Sequence, residues 1–291
     1  VVTIGLSLPQ EEGVYYEALF EGASQAADEL NADLVVVNAE DDLETEAENV
    51  QALIDQGVDA ILINPVDSVE SLDTIALAND AEIPVFVVGE TLDLADADVT
   101  VVSQITGDSL TSGTMAGDVM CEALSDGTVL ELISAAADPE SDTLTPDQTR
   151  SEGFNTYMAD ECGDVTITTL DTADMDHEDV VEAVSATLDG VNGVIAYNSD
   201  HLLAAVEASI IAHQNGIVFV GFEPSIDALA AVEAGQLNAI VTPSAGSLGY
   251  DSIEAVVNYL TGTDIEATIP VDLMIVNSDS FTAFRTCKRC D

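Results

Sequence analysis

Ala60-Ile61-Leu62-Ile63-Asn64-Pro65-Val66-Asp67-Ser68 and Ile83-Pro84-Val85-Phe86-Val87-Val88-Gly89-Glu90 decide the fold of this chain. Each is a short apolar run that stops abruptly at polar or turn-forming residues. Runs of four or five Ile, Leu and Val residues bounded by Asn, Pro or Gly read as strands buried on both faces of a parallel sheet. Between them, residues 68–79 place Val69, Leu72, Ile75 and Ala76 at helical spacing, which predicts a crossover helix. Ligands of open parallel sheets gather outside the carboxyl ends of the strands. Asp67 and Glu90 follow such ends here, so the pattern points to a small-molecule site.

The same alternation runs outward in both directions. Strands are expected at 2–8, 34–37, 60–63, 85–88, 99–102, 128–133, 165–170, 193–196, 217–220, 239–241 and 271–276. Amphipathic stretches separate most of them. In the first, Tyr15, Tyr16, Leu19, Phe20, Ala23, Ala26, Ala27 and Leu30 form one apolar stripe, and Glu17, Glu21, Asp28 and Glu29 take the other face. Residues 44–56 repeat the pattern with Ala47, Val50 and Ile54 inward. This is an α/β architecture with right-handed crossovers. Eleven strands are more than one compact doubly wound domain usually holds. The helix-free link at 90–98 marks the expected passage to a second domain.

Composition narrows the function. The chain has 291 residues, room for two ordinary domains, and 47% of them are hydrophobic, which supplies a core and excludes disorder. No apolar run is long enough to cross a bilayer as a helix. The first residues lead straight into an apolar strand, as in a processed secreted protein, although a cytosolic chain can also begin so. Against 56 acidic residues stand 4 basic ones, a formal charge of −52. Nucleic acid and anionic membrane surfaces are therefore excluded as partners. Repulsion of this size loosens a compact state unless ions screen it or protons neutralise it, so the expected habitat is high salt or low pH.

Cys121, Cys162, Cys287 and Cys290 lack a second Cys-x-x-Cys or a nearby His that would complete a zinc site. Disulfides between Cys121 and Cys162 and between Cys287 and Cys290 are expected, and they imply an oxidising compartment. The alternative for the first two is a pair of buried thiols. His177, His201 and His213 show no metal spacing, and neither a nucleophile elbow nor a phosphate loop occurs. No cofactor, no metal and no catalysis are expected.

The chain resembles the ribose-type periplasmic sugar-binding proteins, type I, in stretches that keep their order. These are Leu34-Val35-Val36-Val37-Asn38, Asn49-Val50-Gln51, 63–68, Ala78-Asn79, Ile83-Pro84-Val85, 113–118, Arg150-Ser151-Glu152-Gly153-Phe154, Ala173-Asp174-Met175-Asp176, Ala196-Tyr197-Asn198, Val220-Gly221-Phe222-Glu223 and Pro270-Val271-Asp272-Leu273. The resemblance implies two Rossmann-like parallel-sheet lobes joined by a three-strand hinge and closing on a ligand. The expected lobes are 1–104 with 244–272, and 105–243 with 273–291. It implies an extracytoplasmic or cell-surface protein that binds a sugar or polyol and presents it to a membrane transporter or receptor.

Carried over residue by residue, the resemblance makes Tyr15 and Tyr16 the aromatic pair that stacks on the ligand. Arg150 becomes the binding arginine, Asn198 a strand-end contact, Glu223 the carboxylate that grips hydroxyls, and Met175 a wall of the pocket. Glu90, Glu12 and Gln104 are further candidates. The chain departs from the pattern at Gly89-Glu90, where an acidic residue and then arginine are expected, and at Pro243, where a glutamine is expected. These departures point away from ribose itself, and Glu90 with Glu223 would admit an amine. They also sustain a competing reading, a structural or cell-surface assembly protein with a degenerate cleft.

The residues themselves leave some choices open. Arg150 is the only basic residue outside the C-terminal cluster of Arg285, Lys288 and Arg289. Its planar fork suits two ligand oxygens, but an ion pair with one of many carboxylates would also retain it. One tyrosine of the pair could be core. Asn198 could be a helix N-cap.

Overall fold

The computed structural model describes residues 1–10, 13–92, 94, 97–133 and 144–286. Glu12, Cys287 and Cys290 lie outside them, and so does the expected second disulfide.

The described residues form two compact α/β units, Val1–Gly107 with Pro243–Asp272 and Asp108–Thr242 with Leu273–Phe284. The first is built from β1 (Thr3–Leu8), α1 (Val14–Leu30), β2 (Asp33–Asn38), α2 (Leu43–Gln56), β3 (Ala60–Ile63), α3 (Ser71–Asp80), β4 (Val85–Val88) and β5 (Ser103–Gly107). The second takes α4 (Ser109–Ala123), β6 (Gly127–Ile133), α5 (Pro146–Glu161), β7 (Val165–Asp171), α6 (His177–Ser185), β8 (Gly193–Ala196), α7 (Ser199–Ile211), β9 (Val218–Gly221), α8 (Ile226–Glu233) and β10 (Ala239–Pro243). The chain then returns to the first unit with α9 (Ala245–Leu260) and β11 (Thr268–Val271), and goes back with β12 (Leu273–Val276).

Each unit holds a six-stranded sheet, in the order β11-β5-β4-β3-β1-β2 and β12-β10-β9-β8-β6-β7. Parallel pairing joins β1 to both β2 and β3, and β6 to both β7 and β8. In both sheets the strand order therefore reverses beside the first strand of the unit, which opens a crevice at the carboxyl ends there.

Strand alternation explains why short apolar runs suffice. In the first unit Ile4, Leu6, Leu62, Phe86 and Val88 face Leu19, Leu248 and Val256 of α1 and α9. Their neighbours Ile61, Ile63, Val85 and Val87 face Val50, Leu53 and Ile75 of α2 and α3. Successive side chains point to opposite faces, so a strand covered on both sides has to be apolar throughout.

Two expected strands are corrected. Residues 99–102 are not a strand. The ladder is made by Ser103–Gly107, with Phe86 opposite Ser103 and Val88 opposite Ile105. Val99 and Val101 pack instead against the α2–α3 core. A polar stretch becomes the strand because pairing with β4 and β11, not local propensity, selects the register. The run 271–276 is also not one strand. It breaks at Asp272, and β11 and β12 belong to different sheets. Nor does the link after β4 pass into the second unit, because the next strand, β5, still belongs to the first.

In the second unit α4 and α5 meet along a seam of small residues. A Cβ on Gly113 would stand 1.9 Å from the carbonyl oxygen of Arg150. At the other end of the seam Cys121 and Cys162 form a disulfide. Because Gly113 abuts backbone rather than a flexible side chain, Gly113→Ala forces the helices apart. An overpacking loss of about 1–3 kcal/mol is expected, read as a lower denaturant midpoint. An unchanged midpoint would show that the seam yields freely.

Candidate functional site

Each unit gathers polar and aromatic side chains beyond the carboxyl ends of its strands. In the first unit, Tyr15 and Tyr16 begin α1, and their rings meet edge to face with centroids 5.3 Å apart. Asn64, directly after β3, donates from Nδ2 to the carbonyl of Val88 at 2.6 Å. Gly89 follows β4 with φ of 88°. A Cβ there would lie 2.7 Å from Asn64 Nδ2 and 3.2 Å from the Tyr15 hydroxyl. Glycine is thus required by both backbone conformation and space. The missing acidic side chain at this position has a local structural cause. Burial, the charge of the exposed Glu90 and the neighbouring Tyr16 push the Tyr15 hydroxyl well above the usual tyrosine range.

Gln104 takes another part. Its Oε1 accepts from the backbone N–H of Leu92 at 2.6 Å, and its Nε2 donates to the Leu92 carbonyl at 3.2 Å. Both ends of the amide hold the link that precedes β5, and Gln104 stands in the body of the strand rather than at its carboxyl end.

In the second unit, Thr145-Pro146-Asp147-Gln148 starts α5 with a capping box and a proline in the first turn. This turn carries Arg150. Its Nη1 donates to Asp147 Oδ1 at 2.8 Å, while its Nε is buried and without a hydrogen-bond partner among the described residues. The guanidinium lies over the ring of Phe222, 5.5 Å from the centroid, and Phe222 stacks on Tyr197 at 5.3 Å and 9°. Cation–π attraction and the ion pair hold the Arg150 guanidinium in place over that ring.

Asn198 and Glu223 converge on the start of α7. Asn198 is the N-cap, its Oδ1 accepting from His201 N–H at 2.8 Å, and Glu223 Oε2 accepts from Ser199 N–H at 2.7 Å. Two acceptors at a helix N-terminus satisfy backbone donors that would otherwise be orphaned. The capping alternative is therefore realised for Asn198, and its Nδ2 group is not used in that bond. The carbonyl of Met175 lies 3.3 Å from His201 Nε2, which brings the Met175 turn onto the same helix. Arg150, Met175, Asn198 and Glu223 thus share one end of the second unit, and Tyr15, Tyr16 and Glu90 share one end of the first.

Sequence reasoning passed over Phe222 and Tyr197. Both directly follow buried strands, and an aromatic side chain at that position was the available signal. It also passed over Glu131, a charged residue inside the apolar run of β6 that is only 3% exposed.

Residues 4–264 match the family described as "Periplasmic binding protein domain". The chain is 30% identical over 279 residues to the ribose import binding protein of Haemophilus influenzae, covering 94% of this chain and 91% of that protein. It is 26% identical over 264 residues to the xylitol-binding protein of Mycolicibacterium smegmatis, covering 87% of this chain and 71% of that one. Among solved structures, the arabinose-binding protein AraP of Geobacillus stearothermophilus shares the fold at a TM-score of 0.79 and 18% identity, covering 97% of this chain and 98% of that one. A solute-binding protein from Actinobacillus succinogenes with bound D-allose does so at 0.72 and 22%, covering 97% and 100%.

Proposed function

This chain belongs to the periplasmic binding protein family, and from that premise we propose how it holds its ligand and where it works. It is an extracytoplasmic solute-binding protein of the sugar-binding class and serves an ABC importer in the membrane. The assembly-protein alternative is not favoured by its relatives. Its part in transport is to bind and release, without chemistry on the ligand. Within the first unit the proposed ligand contacts are Tyr15, Tyr16 and Glu90, and within the second they are Arg150, Met175, Asn198 and Glu223. The observation that carries this reading is Arg150, whose guanidinium lies over the Phe222 ring at 5.5 Å and whose Nε has no hydrogen-bond partner among the described residues. A guanidinium so held offers donors to ligand oxygens at little further entropic cost.

The test is calorimetric titration at molar salt with D-ribose, D-allose, xylitol, myo-inositol and D-glucosamine. Saturable binding of at least one is expected. A folded chain that binds none of them, and that carries no small molecule in a native mass spectrum, would falsify the reading.

High salt is the proposed working environment. The 56 carboxylates face 4 cations, far too few to pair with them. The Debye length falls from about 10 Å at 0.1 M to about 3 Å at 1 M. The melting temperature should accordingly rise by several degrees between 0.1 and 2 M KCl, and a flat curve would contradict this.

A further inference from the structure

We propose that Glu131 is a positioning residue for Arg150: its buried carboxylate fixes both the aromatic platform beneath the guanidinium and the helix that carries it. The inference rests on reading Arg150 as a ligand contact. Glu131 sits in the interior of β6, opposite Thr169 of β7 and Ile195 of β8. Its Oε1 accepts from the Tyr197 hydroxyl and from Ser151 Oγ, each at 2.6 Å, and from Asn155 Nδ2 at 3.1 Å. Its Oε2 accepts from Thr169 Oγ1 at 3.3 Å.

These contacts close a ring. Arg150 lies on Phe222, Phe222 on Tyr197, and Tyr197 is tied to Glu131. Glu131 in turn holds Ser151, the residue after Arg150, and Asn155 one turn further along α5. The platform and the arginine's own backbone are thereby referred to a single carboxylate.

Stability alone does not call for this arrangement. Leu130 and Leu132 flank Glu131 and are buried, and an apolar side chain there would need no partners. A buried carboxylate met by four neutral donors is costly unless every bond forms, so it defines geometry sharply. The Tyr197 ring cannot shift without losing its bond to Glu131, and Phe222, which carries Arg150, stacks on that ring.

The chain is suited to a direct test because it has three arginines, at 150, 285 and 289. Arginine Nε–Hε groups in the full chain would be followed by NMR, with the Arg150 signal assigned through Arg150→Lys. In the wild type it should show an order parameter near the rigid value of about 0.85. Tyr197→Phe, which keeps the ring and removes only the hydroxyl, should lower it below about 0.6, and Glu131→Gln should do the same. Phe222→Leu serves as the positive control. D-ribose affinity should fall about tenfold in both variants, as expected for one charge-assisted hydrogen bond.

A lower melting temperature with an unchanged Arg150 signal would mean that Glu131 only glues the fold, and would overturn the proposal. If Glu131→Gln does not fold, Tyr197→Phe decides alone. A wild type that ignores D-ribose counts against ribose as ligand, while the Arg150 signal still decides the positioning role.

Discussion

Arg150→Ala is expected to weaken sugar or polyol binding by roughly 2–5 kcal/mol, about 30-fold to several thousand-fold in affinity. The range is that for removing one partner of a desolvated charged contact, and two features place Arg150 in that class. Its guanidinium is only partly exposed, at 23% of the side chain, and is held on Phe222 and by Asp147 before any ligand arrives. No other lysine or arginine among residues 1–284 could take over. The folded state should lose far less, because a partly exposed i,i+3 ion pair contributes under about 1 kcal/mol. Arg150→Lys keeps the charge but loses the planar fork, so it should fall between alanine and wild type. Calorimetry with the tightest ligand of the panel, beside a melting curve for each variant, separates the two effects. Equal affinity in wild type and Arg150→Ala would remove Arg150 from the site.

Loss of the Cys121–Cys162 bond is expected to cost about 4 kcal/mol, because the closed loop spans a sequence separation of 41. In the chain-entropy account this comes from the freedom that the unfolded chain regains. For a unit of this size it lowers the melting temperature by roughly 10 °C. The loop contains β6 and α5, so the elements that carry Glu131 and Arg150 are released together on unfolding. Ligand affinity well below the melting temperature should change little, because Gly113 and Arg150 lie at the opposite end of the α4–α5 seam from the disulfide. Melting with and without reductant, and of the double variant Cys121→Ser with Cys162→Ser, provides the measurement. Identical melting curves would show that the bond does not constrain the unfolded chain.

The candidate site was legible in part. Tyr15, Arg150, Asn198 and Glu223 were named through the family resemblance, and their places after a strand or near the start of a helix agree with that reading. Their partners could not be found that way. Asp147 is one carboxylate among 56, and nothing local distinguishes it from the rest. Phe222 looks like any strand-end aromatic until Arg150, 72 residues earlier in the chain, is laid on it. Gln104 carried the right chemistry for a polar ligand, yet its amide is committed to the backbone of Leu92.

The sequence by itself determined the α/β alternation, most strand positions, the faces of the early helices and the improbability of anionic partners. All of these follow from local periodicity or from summed charge, quantities that a linear chain carries unaided. Tertiary structure alone decided that Ser103–Gly107 rather than 99–102 completes the first sheet, and that the run 271–276 is divided at Asp272 between two sheets. It alone decided that Glu131 accepts from the Tyr197 hydroxyl, and that a glycine must follow β4. Each of these depends on which strands pair and which side chains meet across long separations. A hydrogen bond or a ring contact between distant residues has no period, so it leaves no trace in the order of residues until the chain is folded.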